Sequence, residues 1–184
     1  MKNKKGISEV VAAVLLILLT VAAAATLIGF MKPFVEKTLS GTTRCRGYDS
    51  YVQFENKLDN GTGIYNYNCW QNNTNYYLTG ISIKTDTLDS SQLSKIKGFF
   101  ITLKSNSNDI MSFNITNSPP RNDLWIIGNK NMDINFNGPI ETMTYVYNSS
   151  KKYDTAQVYV LLDSGLCTVS DSITLNSCNG VNLN

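Results

Sequence analysis

The sequence predicts an α+β protein: a long hydrophobic N-terminal α-helix followed by an all-β, sandwich-like (immunoglobulin-like) globular headpiece. Three observations carry this. Residues 7–31 hold a single charged side chain, Glu9. Near residue 40 the chain turns from apolar to rich in Asn, Ser, Thr and Tyr. Beyond residue 42, short stretches alternate apolar and polar residues with period two and are separated by turn signals. A length of 184 residues leaves room for one ordinary domain and an anchor.

The apolar run comes first. A bilayer core is crossed by about 20 helical residues, so residues 7–31 are long enough to span one. A secretory signal peptide has an apolar region of only about 7–15 residues and a small-residue cleavage site, which "AAAAT" at 22–26 imitates. The run here is longer and begins almost at residue 7. Its apolar residues go all the way round, the pattern of a helix surrounded by lipid or by other helices. Ala22/Thr26 and Ala25/Gly29 have the small-xxx-small spacing that lets helices approach closely. Lys2, Lys4 and Lys5 are expected on the cytoplasmic side, with the rest of the chain outside. "MKPFVEKTLSG" (31–41) stays compatible with a helix up to a stop at Gly41, with a kink expected at Pro33.

The strands follow. "FFITLK" (99–104) places Phe99, Ile101 and Leu103 on one face. "MSFNIT" (111–116) sets Met111, Phe113 and Ile115 against Ser112, Asn114 and Thr116. "MDINFN" (132–137) alternates in the same way. "YNYNCW" (65–70), "YVYN" (145–148) and "VYVLLD" (158–163) are also strand-like. "DNGTG" (59–63), "NSPPRND" (117–123) and Asn137-Gly138 read as turns. "LDSSQLSKIKG" (88–98) has room for one short helix. Several short strands at this spacing favour a β-sandwich.

Composition limits the chemistry. Three of the 16 basic residues precede Gly6, and Glu9 is one of the 14 acidic residues. The remainder is therefore balanced, which argues against a nucleic-acid partner. The chain has no histidine, so His-dependent nucleophilic catalysis and His-containing zinc sites are out of reach. No pair of carboxylates stands out as an acid–base couple. The sequence therefore points to a non-enzyme with no cofactor and no metal. "DINFNGPIETMT" (133–144) begins like a calcium loop at Asp133, Asn135, Asn137, Gly138 and Ile140. Its twelfth position is Thr144 rather than Glu, and an Asn-Gly turn fits better.

The four cysteines, Cys45, Cys69, Cys167 and Cys178, imply two disulfides in an exported domain, with three possible connectivities. Proximity in sequence favours Cys45–Cys69 and Cys167–Cys178, the second closing a short C-terminal loop. Asn60, Asn72, Asn114 and Asn148 begin N-x-S/T sequons, candidate glycan acceptors on a solvated surface. Asn114 and Thr116 fall on the polar face of a predicted strand.

Taken in order, "KKGISEVVAAVLLILLTVAAAATLIGF" resembles the N-terminus of archaeal type IV pilins with class III signal peptides. The likeness covers about residues 2–36. It implies a leader at 1–6 cut between Gly6 and Ile7, a retained helix at 7–40 that is first transmembrane and then filament core, and an extracellular headpiece at 41–184. Glu9 then lies two residues from the new Ile7 amine and is expected to pair with that of a neighbouring subunit during assembly. The resemblance implies a structural subunit that polymerises with identical copies into an extracellular filament for adhesion, cell contact or motility. Its implied partners are a prepilin peptidase, an assembly ATPase and a membrane platform protein, with the membrane holding the precursor. The alternatives are a monomeric anchored surface-binding protein with the same leader, an archaellin or a minor pilin.

Overall fold

A computed structural model describes the backbone of residues 5–48, 50–59, 61, 63–136 and 138–184, with side chains at all of these except 5–10, 30 and 33–44. The chain divides into two compact units, Met1–Thr43 and Arg44–Asn184. Helix α1 (Lys5–Cys45) supplies all the described residues of the first unit, and its last two residues, Arg44 and Cys45, belong to the second. At 1.5 Å per residue, its 41 residues make it about 60 Å long.

The helix passes both Pro33 and the expected stop at Gly41. Glycine costs a helix interior only about 1 kcal/mol, so it is a weak terminator by itself. The end comes at Gly47, whose φ of +91° is a left-handed conformation that suits glycine just beyond a helix C-terminus. A turn bond from Tyr48 N–H to Cys45 C=O (3.0 Å) follows.

The second unit is a two-sheet β structure. Its strands are β1 (Val52–Phe54), β2 (Leu58–Asp59), β3 (Ile64–Tyr65), β4 (Cys69–Asn73), β5 (Tyr76–Thr85), β6 (Ile96–Lys104), β7 (Ile110–Ile115), β8 (Leu124–Ile126), β9 (Thr142–Ser149), β10 (Thr155–Leu162), β11 (Gly165–Thr174) and β12 (Asn176–Ser177); α2 (Ser90–Leu93) lies between β5 and β6. The larger sheet runs β12-β4-β5-β9-β8, with β1 also paired to β5; the smaller runs β11-β10-β6-β7. β2 and β3 form a separate hairpin.

One core joins the two sheets. Ile81, Ile83 and Tyr145 from the larger sheet cluster with Phe99, Ile101, Leu103, Val158 and Val160 from the smaller, all of them fully buried. Each such aliphatic or aromatic side chain contributes about 1.5–3 kcal/mol on burial. Phe113 stacks on Tyr147 across the sheets at 4.6 Å between ring centroids. A smaller cluster lies around Leu78, Trp125, Val146 and Leu183. Leu183 is fully buried, and its N–H donates to Gln71 Oε1 (3.0 Å).

The period-two stretches at 99–104, 111–116, 145–148 and 158–163 lie within or largely within β6, β7, β9 and β10. Two others depart from expectation. Among the described residues of 132–137, Ile134 pairs only in an isolated bridge with Ser118. Pro119 and Pro120 follow Ser118, and without N–H groups they cannot extend a ladder. The stretch 65–70 is interrupted between β3 and β4 because Asn68 leaves the strand pattern. Its buried side chain donates to Glu55 C=O (2.9 Å) and accepts from Ser82 N–H (2.7 Å). Asn68 thereby fills the junction where β5 changes neighbour from β4 to β1.

Candidate functional site

Two features of the chain bear on function: the apolar surface of α1 and the covalent and polar features of the β unit.

Val11–Gly29 is long and apolar enough to cross a membrane. Its large side chains are all open on the chain itself, from Val11 at 50% to Leu19 at 72% exposure. The polar side chains within the segment are satisfied internally. Thr20 Oγ1 donates to Ile17 C=O (2.9 Å), and Thr26 Oγ1 to the carbonyls of Ala22 (3.1 Å) and Ala23 (2.8 Å). Such back-bonding leaves no threonine hydroxyl proton without an acceptor in an apolar medium. At Gly29 a Cβ would meet nothing within 4 Å. Gly6, Ile7 and Glu9 belong to the first turns of α1; their side chains, and with them any Glu9 pairing, lie outside the described residues.

The disulfides correct the expected connectivity. Cys45 pairs with Cys167 and Cys69 with Cys178, at Cα–Cα separations of 5.5 and 4.9 Å. The "CTVSDSITLNSC" stretch is not a small loop: most of it is strand β11, paired with β10 from Thr155↔Thr174 to Leu162↔Gly165. A strand rises about 3.3 Å per residue, so the extended part from Cys167 to Thr174 alone spans roughly 23 Å. Cysteines held that way cannot reach the 7 Å limit for a disulfide. Cys178 instead follows β12, which runs parallel to β4 and places Asn176 opposite Cys69. Cys45, the last residue of α1, and Cys167, on β11, are both buried in the main core.

Among the sequons, Asn72 on β4 and Asn114 on β7 are exposed, Asn148 on β9 is half-buried, and Asn60 lies outside the described residues. Thr144, the twelfth residue of the calcium-loop stretch, is buried and donates to Ser82 Oγ (3.1 Å). Gly138 N–H in the same stretch donates to Glu141 Oε2 (2.8 Å). Among the described residues no group of three or more His, Cys, Asp or Glu side chains is placed to hold a metal ion.

Surface charge in the β unit is organised as local pairs. Arg121 grips Asp123 with two parallel bonds (Nε–Oδ1 3.0 Å, Nη2–Oδ2 2.6 Å), and this contact holds the Asp123 carboxyl below the usual carboxylate range. Lys152 lies 2.7 Å from Asp154 Oδ1 and 4.5 Å over the Trp70 ring. That contact, with the Asn106 N–H, lowers the Asp154 carboxyl in the same way. Lys152 and Asp154, with Trp70, Asn106 and Asn176, line an open cleft of about 440 Å³.

The chain matches no protein-family model, and no curated protein or solved structure matches it.

Proposed function

We propose that this chain is the structural subunit of an archaeal type IV pilus-like filament. The observation that carries the reading is the apolar helix itself, whose large side chains are open around its whole girth between Val11 and Gly29. Such a surface needs a low-dielectric environment, which lipid provides before assembly and neighbouring helices provide afterwards. The "KKG–ISE" sequence places a prepilin cleavage site at the cytoplasmic end of this helix, so that removal of the lysines keeps the anchor. Cleavage exposes the Ile7 amine, and Glu9 of an adjacent subunit neutralises it in the filament core. The β unit forms the outer decoration of the filament. Its disulfides and sequons suit an extracellular location.

A prepilin peptidase, an assembly ATPase and a membrane platform protein are the partners this role requires. The test is the N-terminus and the physical state of surface material. Intact mass or N-terminal sequencing of sheared surface protein is expected to give a start at Ile7, with filaments visible by negative-stain microscopy. A start at 22–26, or an intact Met1 in the assembled form, overturns the reading. A chain confined to the membrane fraction as a monomer favours an anchored binding protein.

A further inference from the structure

The outward face of the smaller sheet carries an apolar patch with a sequon beside it. The inward face is marked by Phe99, Ile101, Phe113 and Ile115, all buried. Side chains alternate along a strand, so Phe100, Thr102, Ser112 and Asn114 point the other way. The contact between Thr102 Oγ1 and Ser112 Oγ (3.2 Å) agrees with this. On that face the register runs Asn114 opposite Phe100, Phe100 opposite Tyr159, and Tyr159 opposite Val169. Phe100 and Tyr159 meet edge to face at 5.8 Å between centroids. Leu161 opposes Leu166 in the next row, and Leu166 and Val169 remain 46% and 45% exposed.

We infer that Asn114 carries an N-linked glycan whose first sugar lies on Phe100 and covers this patch. Asn114 is exposed and heads the triplet Asn114-Ile115-Thr116. Directly opposed residues in an antiparallel pair have Cβ atoms about 4.5–5.5 Å apart, so a sugar on the amide begins within van der Waals reach of the Phe100 ring. The C–H face of a pyranose is electropositive and the face of an aromatic ring is electronegative, so the two stack. In the attachment step, Asn114 Nδ2 bonds to the anomeric carbon of a lipid-phosphate-linked oligosaccharide. The bond from that carbon to the phosphate oxygen breaks, the phosphate keeps the electron pair, and the amide proton passes to solvent.

Among the described sequons, Asn72 and Asn148 lack this apolar surround. Asn148 stands opposite Leu78, which is fully buried. Asn72 faces Tyr77, whose ring meets Trp70 edge to face much as Phe100 meets Tyr159, but Lys152 lies over the Trp70 ring, so a charge adjoins that pair where Leu166 and Val169 adjoin the other. The inference rests on the export of the β unit, not on filament formation.

The experiment uses the full-length protein recovered in detergent from cells that N-glycosylate exported chains. Peptide mass mapping is expected to find a glycan on the peptide containing Asn114. Asn114→Gln is expected to lower the melting temperature by about 2–4 °C, the shift that a change of about 1 kcal/mol produces in a chain of this size. In a Phe100→Leu background, which keeps apolar bulk but removes the ring, the same substitution is expected to cause no shift. Asn148→Gln is expected to leave the melting temperature unchanged. Intact disulfides with a bare Asn114 overturn this inference alone and leave the patch to a second copy of the chain. Four free thiols with a bare Asn114 overturn the exported reading as well. An equal shift with and without the Phe100 ring refutes the stacking.

Discussion

At the scale of single residues, the junction between β1 and β4 is tightly specified. Asn68 is fully buried and supplies the hydrogen bonds that β5 would otherwise lack where its neighbour changes. Asn68→Ala leaves the Ser82 N–H and the Glu55 C=O without these partners, and a buried unsatisfied group costs about 1–3 kcal/mol. Gly80 sits against the same junction. A Cβ there would lie 2.2 Å from the Tyr67 carbonyl oxygen and 2.9 Å from a Leu183 methyl. The carbonyl is backbone and cannot swing aside, so Gly80→Ala is expected to destabilise the β unit by about 1–3 kcal/mol. Urea unfolding followed by tyrosine and tryptophan fluorescence checks both variants. A wild-type midpoint for Gly80→Ala would mean that the junction is looser than these distances imply.

At the scale of elements, the disulfides staple distant parts of the chain. The sequence separations are 122 and 109 residues, far longer than the loop that pairing of sequence neighbours would close. In the chain-entropy account, longer loops give larger stabilisation, and loss of such a bond costs about 2–5 kcal/mol. Paired replacement of Cys45 and Cys167 by serine is expected to fall in that range. Peptide mapping without reduction is expected to recover Cys45 linked to Cys167 and Cys69 linked to Cys178; a Cys167–Cys178 peptide would refute the strand assignment of β11. The charge pairs add a pH dependence. Asp123 and Asp154 both have carboxyl groups lowered by their cationic neighbours in the folded chain. Their stabilisation is therefore present above the unfolded carboxylate value of about 3.9. It is lost as pH falls through their lowered folded values. Thermal melts between pH 7 and pH 2 are expected to show this loss below about pH 4, weakened in Arg121→Ala. Both pairs are partly solvent-exposed, so each contributes only about 0–1 kcal/mol.

At the scale of the whole molecule, the proposed filament role turns on one carboxylate at the start of a long apolar helix. Glu9→Ala is expected to leave cleavage and membrane insertion nearly intact. Insertion should even ease, by up to about 2.5–3.5 kcal/mol if the carboxylate lies deep in lipid. Assembly is expected to fall sharply, because the buried Ile7 amine loses its partner at a cost of about 3–5 kcal/mol per subunit. Glu9→Gln keeps shape and hydrogen bonding without the charge and is expected to be intermediate. The measurement is the ratio of sheared extracellular filament to membrane-bound mature subunit. A wild-type ratio for Glu9→Ala would leave Glu9 as no more than a favourable residue near a helix N-terminus.

The sequence by itself determined the two-part organisation, because both of its signals are local. An unbroken apolar run needs no partner to be recognised as a helix fit for a low-dielectric medium. Strict alternation, as in Phe99, Ile101 and Leu103, marks the buried face of a strand wherever that strand packs. The place of Asn114 on the polar face of its strand was likewise legible from alternation alone. Only the tertiary structure decided what depends on residues distant along the chain. Cysteine pairing followed from the parallel alignment of β12 with β4 and from the extended β11, and neither is visible in cysteine spacing. The stretch around Ile134 alternates as a strand does, yet the prolines after Ser118 deny it a continuous ladder. The opposition of Asn114 to Phe100, and of Phe100 to Tyr159, exists only because β7, β6 and β10 lie side by side. Period two assigns each residue to a face, but only strand register decides which neighbour it meets there.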